Sequence, residues 1–153
     1  MTDNNLIHDL EQQSRRAMIR RIIIIALLIL GISLVVVIAF FLFNAYTNAR
    51  LTMREAKNIK LNLEMLDTEY YAFGVSIYDD TKPGNLRSGA VNSVKKMQGD
   101  IVGTIKLTGY NSKERKITGL EYETEKYIVR FITDEDGEKW KVNYIWEILT
   151  YGD

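Results

Sequence analysis

Cysteine is absent from the 153 residues, and histidine occurs once, at His8. No disulfide framework and no thiolate metal site is therefore available. A Ser-His-Asp or Cys-His catalytic arrangement has no histidine to draw on beyond the N-terminal arm, where His8 reads as a solvated side chain. Proline also occurs once, at Pro83, and no glycine lies between Gly31 and Gly74. A Gly-rich phosphate loop is missing as well. Net charge is zero, from 20 basic and 20 acidic residues, and no part is basic enough to make nucleic acid the main partner. No cofactor and no small-molecule substrate is indicated, and the chain reads as a non-enzyme.

What the chain has in abundance is one apolar run. Ile22 to Phe43, IIIIALLILGISLVVVIAFFLF, holds 22 residues without a charge. As a helix it spans roughly 33 Å, about the hydrocarbon thickness of a bilayer. Arg15, Arg16, Arg20 and Arg21 crowd its N-terminal side, and such residues tend to remain cytoplasmic. The expected localisation is thus a single-pass protein of the cell membrane, with residues 1–21 a cytoplasmic arm and the C-terminal part extracytoplasmic. A cleaved signal peptide is the alternative, and Thr47 and Ala49 supply a small-x-small pattern. The run is longer than the ~7–15 residues usual for a signal core, which favours an uncleaved anchor. Gly31 has no small residue four positions away, so no small-xxx-small pairing motif is present.

Nothing obliges the helix to end at Phe43. Ala45, Ala49, Ala56, Ile59, Leu63, Leu66, Tyr70 and Phe73 follow in steps of three and four, with Thr52 filling the one gap, and form a single stripe. Arg50, Arg54 and Lys57 fall on a roughly opposite face. One helix from about Ile22 to Tyr71, ~75 Å long, is expected to carry a transmembrane half (22–43) and an amphipathic extension (44–73). The stripe Ala45, Ala49, Ala56, Ile59, Leu63, Leu66 and Tyr70 has two uses, packing on the chain's own sheet or assembly with another subunit. Its Ala-rich start suits a neighbouring helix, and its larger end suits a sheet.

Residues 74–153 read as an extracytoplasmic loop and sheet. Asp79, Asp80 and Pro83-Gly84 mark turns. Ser88 is placed to cap a short helix reaching Met97, with Val91 and Val94 inward and Gly99 as its stop. From Ile101 the period changes to two. Ile101, Ile105 and Leu107 form one strand face. Ile117 to Tyr122 is a second run, Tyr127, Val129 and Phe131 a third, and Trp140, Val142, Tyr144 and Trp146 a fourth. Asp136-Gly137 marks the last turn. Four strands at this spacing predict an antiparallel meander with one apolar face. The fold class is α+β, a long N-terminal helix packed on a four-stranded antiparallel β-sheet. The carboxylates of Asp134, Glu135, Asp136 and Glu138 raise the idea of a calcium site on a tight turn. They lack the full ligand pattern, and a plain hairpin turn is expected, with no metal assigned.

This order of segments resembles the type IV pilin-like proteins, the pilins and the pseudopilins of type II secretion. The stretch ARLTMREAKNIKLNLEMLDTEYYAFGVSIYD, Ala49 to Asp79, looks like their helix-to-loop passage, and GLEYETEKYIVRF and KWKVNYIW look like their final strands. The chain departs from the family where processing occurs. Ala17-Met18 stands where the family has a Gly before the cleavage point, and Ile22 stands where it has Glu at the fifth mature position. The resemblance implies an unprocessed relative that stays in the membrane as a structural subunit or accessory of a pilus or secretion assembly. Its partners would be membrane lipid and protein, through self-assembly or other subunits. The competing expectation is a bitopic envelope protein whose extracytoplasmic β-domain binds a partner or ligand.

Overall fold

The computed structural model describes residues 3–99, 101–144 and 150–152, with side chains from residue 14 to residue 144. The readings of His8 and Trp146 therefore fall outside the described side chains. The longest element is α1, Asp3–Ala72, 70 residues in one helix. It begins well before Ile22, because the arm contains no Pro or Gly and carries two Leu, two Gln and four Arg, all good helix formers. Two compact units divide the chain, Met1–Asn44 and Ala45–Asp153.

In the first unit every side chain from Ser14 to Asn44 is exposed, including all the Ile, Leu, Val and Phe of the apolar run. A segment this apolar with no protein cover is compatible with a single-pass membrane anchor.

The second unit starts with the rest of α1, which ends in a Schellman cap. Gly74 sits at φ 72°, the Val75 N–H reaches the Tyr70 carbonyl at 3.1 Å and the Gly74 N–H the Tyr71 carbonyl at 2.9 Å. Only glycine holds that left-handed position without a steric penalty. A 3-10 turn, Pro83–Asn85, and a short helix α2, Ala90–Gln98, follow. Ser88 does not cap α2. Gly89 occupies the N-cap in a left-handed conformation, without a side-chain cap. Gly99 does stop it, its N–H meeting the Lys95 carbonyl at 2.9 Å. Asn62 and the Glu55 carbonyl both bond the Gln98 amide, tying α2 to α1.

Five strands complete the unit: β1 Thr104–Asn111, β2 Lys116–Glu123, β3 Tyr127–Asp134, β4 Gly137–Tyr144 and β5 Thr150–Gly152. They form one antiparallel sheet in chain order. The four expected strands are present and β5 adds a fifth. Three residues including a glycine are too short to show an alternating pattern, which is why β5 could not be read. The register stacks Ile105, Tyr122, Val129 and Val142 in one inward row and Leu107, Leu120, Phe131 and Trp140 in the next. All eight are buried.

The helix stripe closes over these rows. Ala49, Ala56, Ile59, Leu63 and Leu66 are buried, while Ala45 and Tyr70 are half-buried. Phe73, however, is 81% exposed, because the helix has already ended and its period no longer directs the side chain. Met53 is buried where the reading had placed Thr52 on the seam. A helix advances 3.6 residues per turn, so a step of four from Ala49 serves as well as a step of three, and the larger apolar side chain takes the core. The other edge of the sheet is covered: the Asn85 amide donates to the Leu107 carbonyl at 2.7 Å, which removes a free acceptor from β1. A long helix with an antiparallel sheet in this order is compatible with a pilin-like fold.

Candidate interaction surfaces

The stripe residues singled out in the sequence come together on one face, but their own unit covers most of them. Ala49 is 7% exposed and Ala56 fully buried. The sheet reaches further along the helix than the Ala-rich start suggests, because the Tyr127 hydroxyl donates to the Ala45 carbonyl at 3.0 Å. The face left open by this packing carries Arg50, Leu51, Arg54, Lys57, Leu61 and Met65.

A polar cluster that the sequence reading missed fixes the loop after α1. Asp67 is 2% exposed, the one buried charged residue among those described. Its carboxylate accepts from the Ile77 N–H at 3.0 Å, the Tyr110 hydroxyl at 2.8 Å, Arg115 Nε at 3.1 Å and the Ser76 hydroxyl at 3.3 Å. Arg115 Nη2 adds a second ion-pair contact at 2.8 Å. The same nitrogen bonds the Asp67 and Val75 carbonyls, and the guanidinium lies over the Tyr71 ring. Tyr78 stacks on Tyr110 with ring centroids 5.4 Å apart. Burial, and then the neighbouring carboxylate, raise the Tyr110 hydroxyl's pKa, although a Ser76 hydrogen bond opposes them. A buried carboxylate is tolerated when its lone pairs are met in this way. The cluster is a staple between helix end, loop and the β1–β2 hairpin. The only hint in the sequence is an acid beside the stripe residue Leu66.

The carboxylate turn between β3 and β4 is occupied by its own lysine. Lys139 Nζ lies 2.8 Å from both Asp134 and Asp136. Hydrogen bonding to Asp134 and then to Asp136 raises the Lys139 pKa, and the bond to Lys139 lowers that of Asp134. Among the described residues no group of three or more His, Asp or Glu is arranged to hold a metal ion. Glu138 instead reaches Lys60 at 3.0 Å, which also pairs with Glu64 at 3.1 Å. Burial pulls the Lys60 pKa down, but the two carboxylates outweigh it and the net direction is upward.

An open groove of about 320 Å³ lies where α1 faces the β2–β3 turn. Asn48, Leu51 and Glu55 form one wall, and Val102, Glu125 and Lys126 the other. Leu51 is 57% and Val102 81% exposed. Among the described residues no basic side chain lies within ion-pair distance of Glu55 or Glu125. Behind Glu55 lies Tyr122, fully buried with its ring against Gly103, where any Cβ would collide with it. Its buried hydroxyl meets no partner at good hydrogen-bond geometry, and Glu55 is close enough to act on it. Burial, followed by the charge of Glu55, raises its pKa strongly.

No protein family, no curated protein and no solved structure matches this chain.

Proposed function

We propose that the protein is a membrane-anchored, non-enzymatic, pilin-like subunit or accessory of a pilus or secretion assembly, its N-terminus cytoplasmic and its sheet domain outside. The observation that carries this reading is the division of labour along α1. Residues 22–43 are apolar and uncovered, whereas Ala49 to Leu66 present a stripe buried under an antiparallel sheet. One element thus serves as anchor and as spine. The exposed face with Leu61 and Met65 is left for neighbouring subunits. A photo-crosslinking amino acid at Met65, in the full chain expressed in membranes, tests the role. Covalent adducts with further copies or with other envelope proteins are expected, and a protein that stays uncrosslinked at every expression level counts against an assembly subunit. The second reading, a partner-binding envelope module, is favoured by the groove between Leu51 and Val102.

A further inference from the structure

We propose that the bond between Ala49 and Arg50 is a latent signal-peptidase site, which the fold of the second unit keeps shut. The inference rests on the reading that residues 22–43 are a membrane anchor with the sheet domain outside. A leader removed by such an enzyme has basic residues, an apolar segment, and then small side chains in the first and third positions before the bond. This chain has the three parts in that order: four Arg between residues 15 and 21, the run Ile22 to Phe43, and Thr47 with Ala49, the latter six residues past Phe43. Cleavage is a hydrolysis. Water adds across the amide, leaving a carboxylate on Ala49 and a new amine on Arg50, and residues 50–153 lose their anchor.

Recognition of an extended peptide uses main-chain hydrogen bonds for affinity and pockets for alternate side chains for specificity. The structure withholds both. Residues 45–52 are helical, so their main-chain groups are paired within α1. Ala49 is 7% exposed and Thr47 half-buried, so the two small side chains are packed against their own domain. Two hydroxyls pin the turn. That of Tyr127 donates to the Ala45 carbonyl at 3.0 Å, and that of Thr52 to the Asn48 carbonyl at 2.9 Å. Met53 and Ala56 continue the buried face, and drawing the segment out as a strand would lift the start of this face from the sheet. The two guards act at different times. No Pro or Gly occurs between Gly31 and Gly74, so a helix begun in the apolar run propagates through Ala49 without a new nucleus, within about 1 μs. Tyr127 lies 82 residues beyond Ala45, and at roughly 5–20 residues per second it is made seconds later. The helix closes the bond first, and the sheet then locks it.

The test follows the pulse-labelled full chain in bacterial cells by size and N-terminal sequencing. The unaltered chain should stay full-length in the carbonate-resistant membrane fraction, and a product beginning at Arg50 would show the site open and overturn the proposal. Tyr46→Pro, just ahead of Thr47, removes a helical N–H bond and clashes with the preceding turn. It should release the Arg50 product during synthesis, about tenfold or more above the unaltered chain, since a proline inside a helix undoes the closed turn. A signal-peptidase inhibitor should abolish that product. An inserted Tyr46→Pro chain that gives no Arg50 product, or only fragments that the inhibitor does not prevent, overturns the latent site. Tyr127→Ala leaves the helix sequence intact and removes the sheet's hold on Ala45. The same product should accumulate more slowly, after synthesis, and its absence would overturn the locking role of the sheet. An unaltered chain that carbonate extracts refutes the anchor reading instead, whereas a resistant chain failing either variant refutes only this proposal.

Discussion

Replacing Arg115 with Met tests how the loop after α1 is held. The substitution keeps an unbranched stem and removes the guanidinium, so the contact over Tyr71 is partly retained. Asp67 would keep the Ile77 N–H at 3.0 Å, the Tyr110 hydroxyl at 2.8 Å and the Ser76 hydroxyl at 3.3 Å. It would lose the one counter-ion it has among the described residues while remaining 2% exposed. Breaking a buried pair from one side typically costs about 3–5 kcal/mol. Arg115 is itself more open than Asp67, with 28% of its side chain exposed against 3%, so water can reach the vacated site and the lower end, about 3 kcal/mol, applies. For a unit of this size that corresponds to a melting shift of roughly 10–20 °C. The buried Trp140 offers a fluorescence readout in the full chain in detergent. Removing both charges, with Asp67→Asn and Arg115→Met together, should recover much of the loss, since no uncompensated charge then remains. A single-variant shift below about 4 °C, roughly 1 kcal/mol, would refute the claim that the ion pair holds the loop. A double variant no better than the single would show that the hydrogen bonds matter and the charge does not.

Leu63→Ala removes a fully buried side chain of the helix stripe and should destabilise the sheet domain by ~2–5 kcal/mol, measured by the same melts. Ala49→Glu should lower the melting point too, because the site is covered by the domain itself and an unpaired buried charge costs several kcal/mol; full stability with only lost oligomers would mean that the sheet does not cover Ala49. Alkaline pH should weaken the fold. The Tyr122 and Lys60 pKa values both lie above their unfolded values of 10.0 and 10.5, so their contributions are intact below about pH 10 and fade above it. Tyr122→Phe should flatten that decline, and an absorbance titration at 295 nm showing Tyr122 ionised in the folded protein at pH 10 would contradict it. For topology, a cysteine placed at Lys113 should react with a membrane-impermeant reagent in intact cells, and one placed at Arg15 should not; labelling at Arg15 would reverse the orientation.

Much of the architecture could be read directly because it follows from local pattern. The uncharged run from Ile22 to Phe43 is long and apolar enough to cross a membrane, and steps of three and four from Ala49 to Leu66 place one face of α1 inward. Alternation in Ile105–Leu107, Tyr127–Phe131 and Trp140–Val142 determined which sheet face is apolar, since side chains on a strand switch sides at every residue. Local pattern fails where the period has ended or the segment is too brief, as at Phe73 and β5, and where two helical steps compete, as at Thr52 and Met53. Only the tertiary structure decided that Asp67 is buried, because the groups that make this tolerable, Tyr110 and Arg115, lie 43 and 48 residues away. The groove is of the same kind. Glu55, Val102 and Lys126 have no sequence relation, and it is the meander folding back on α1 that brings them to one groove.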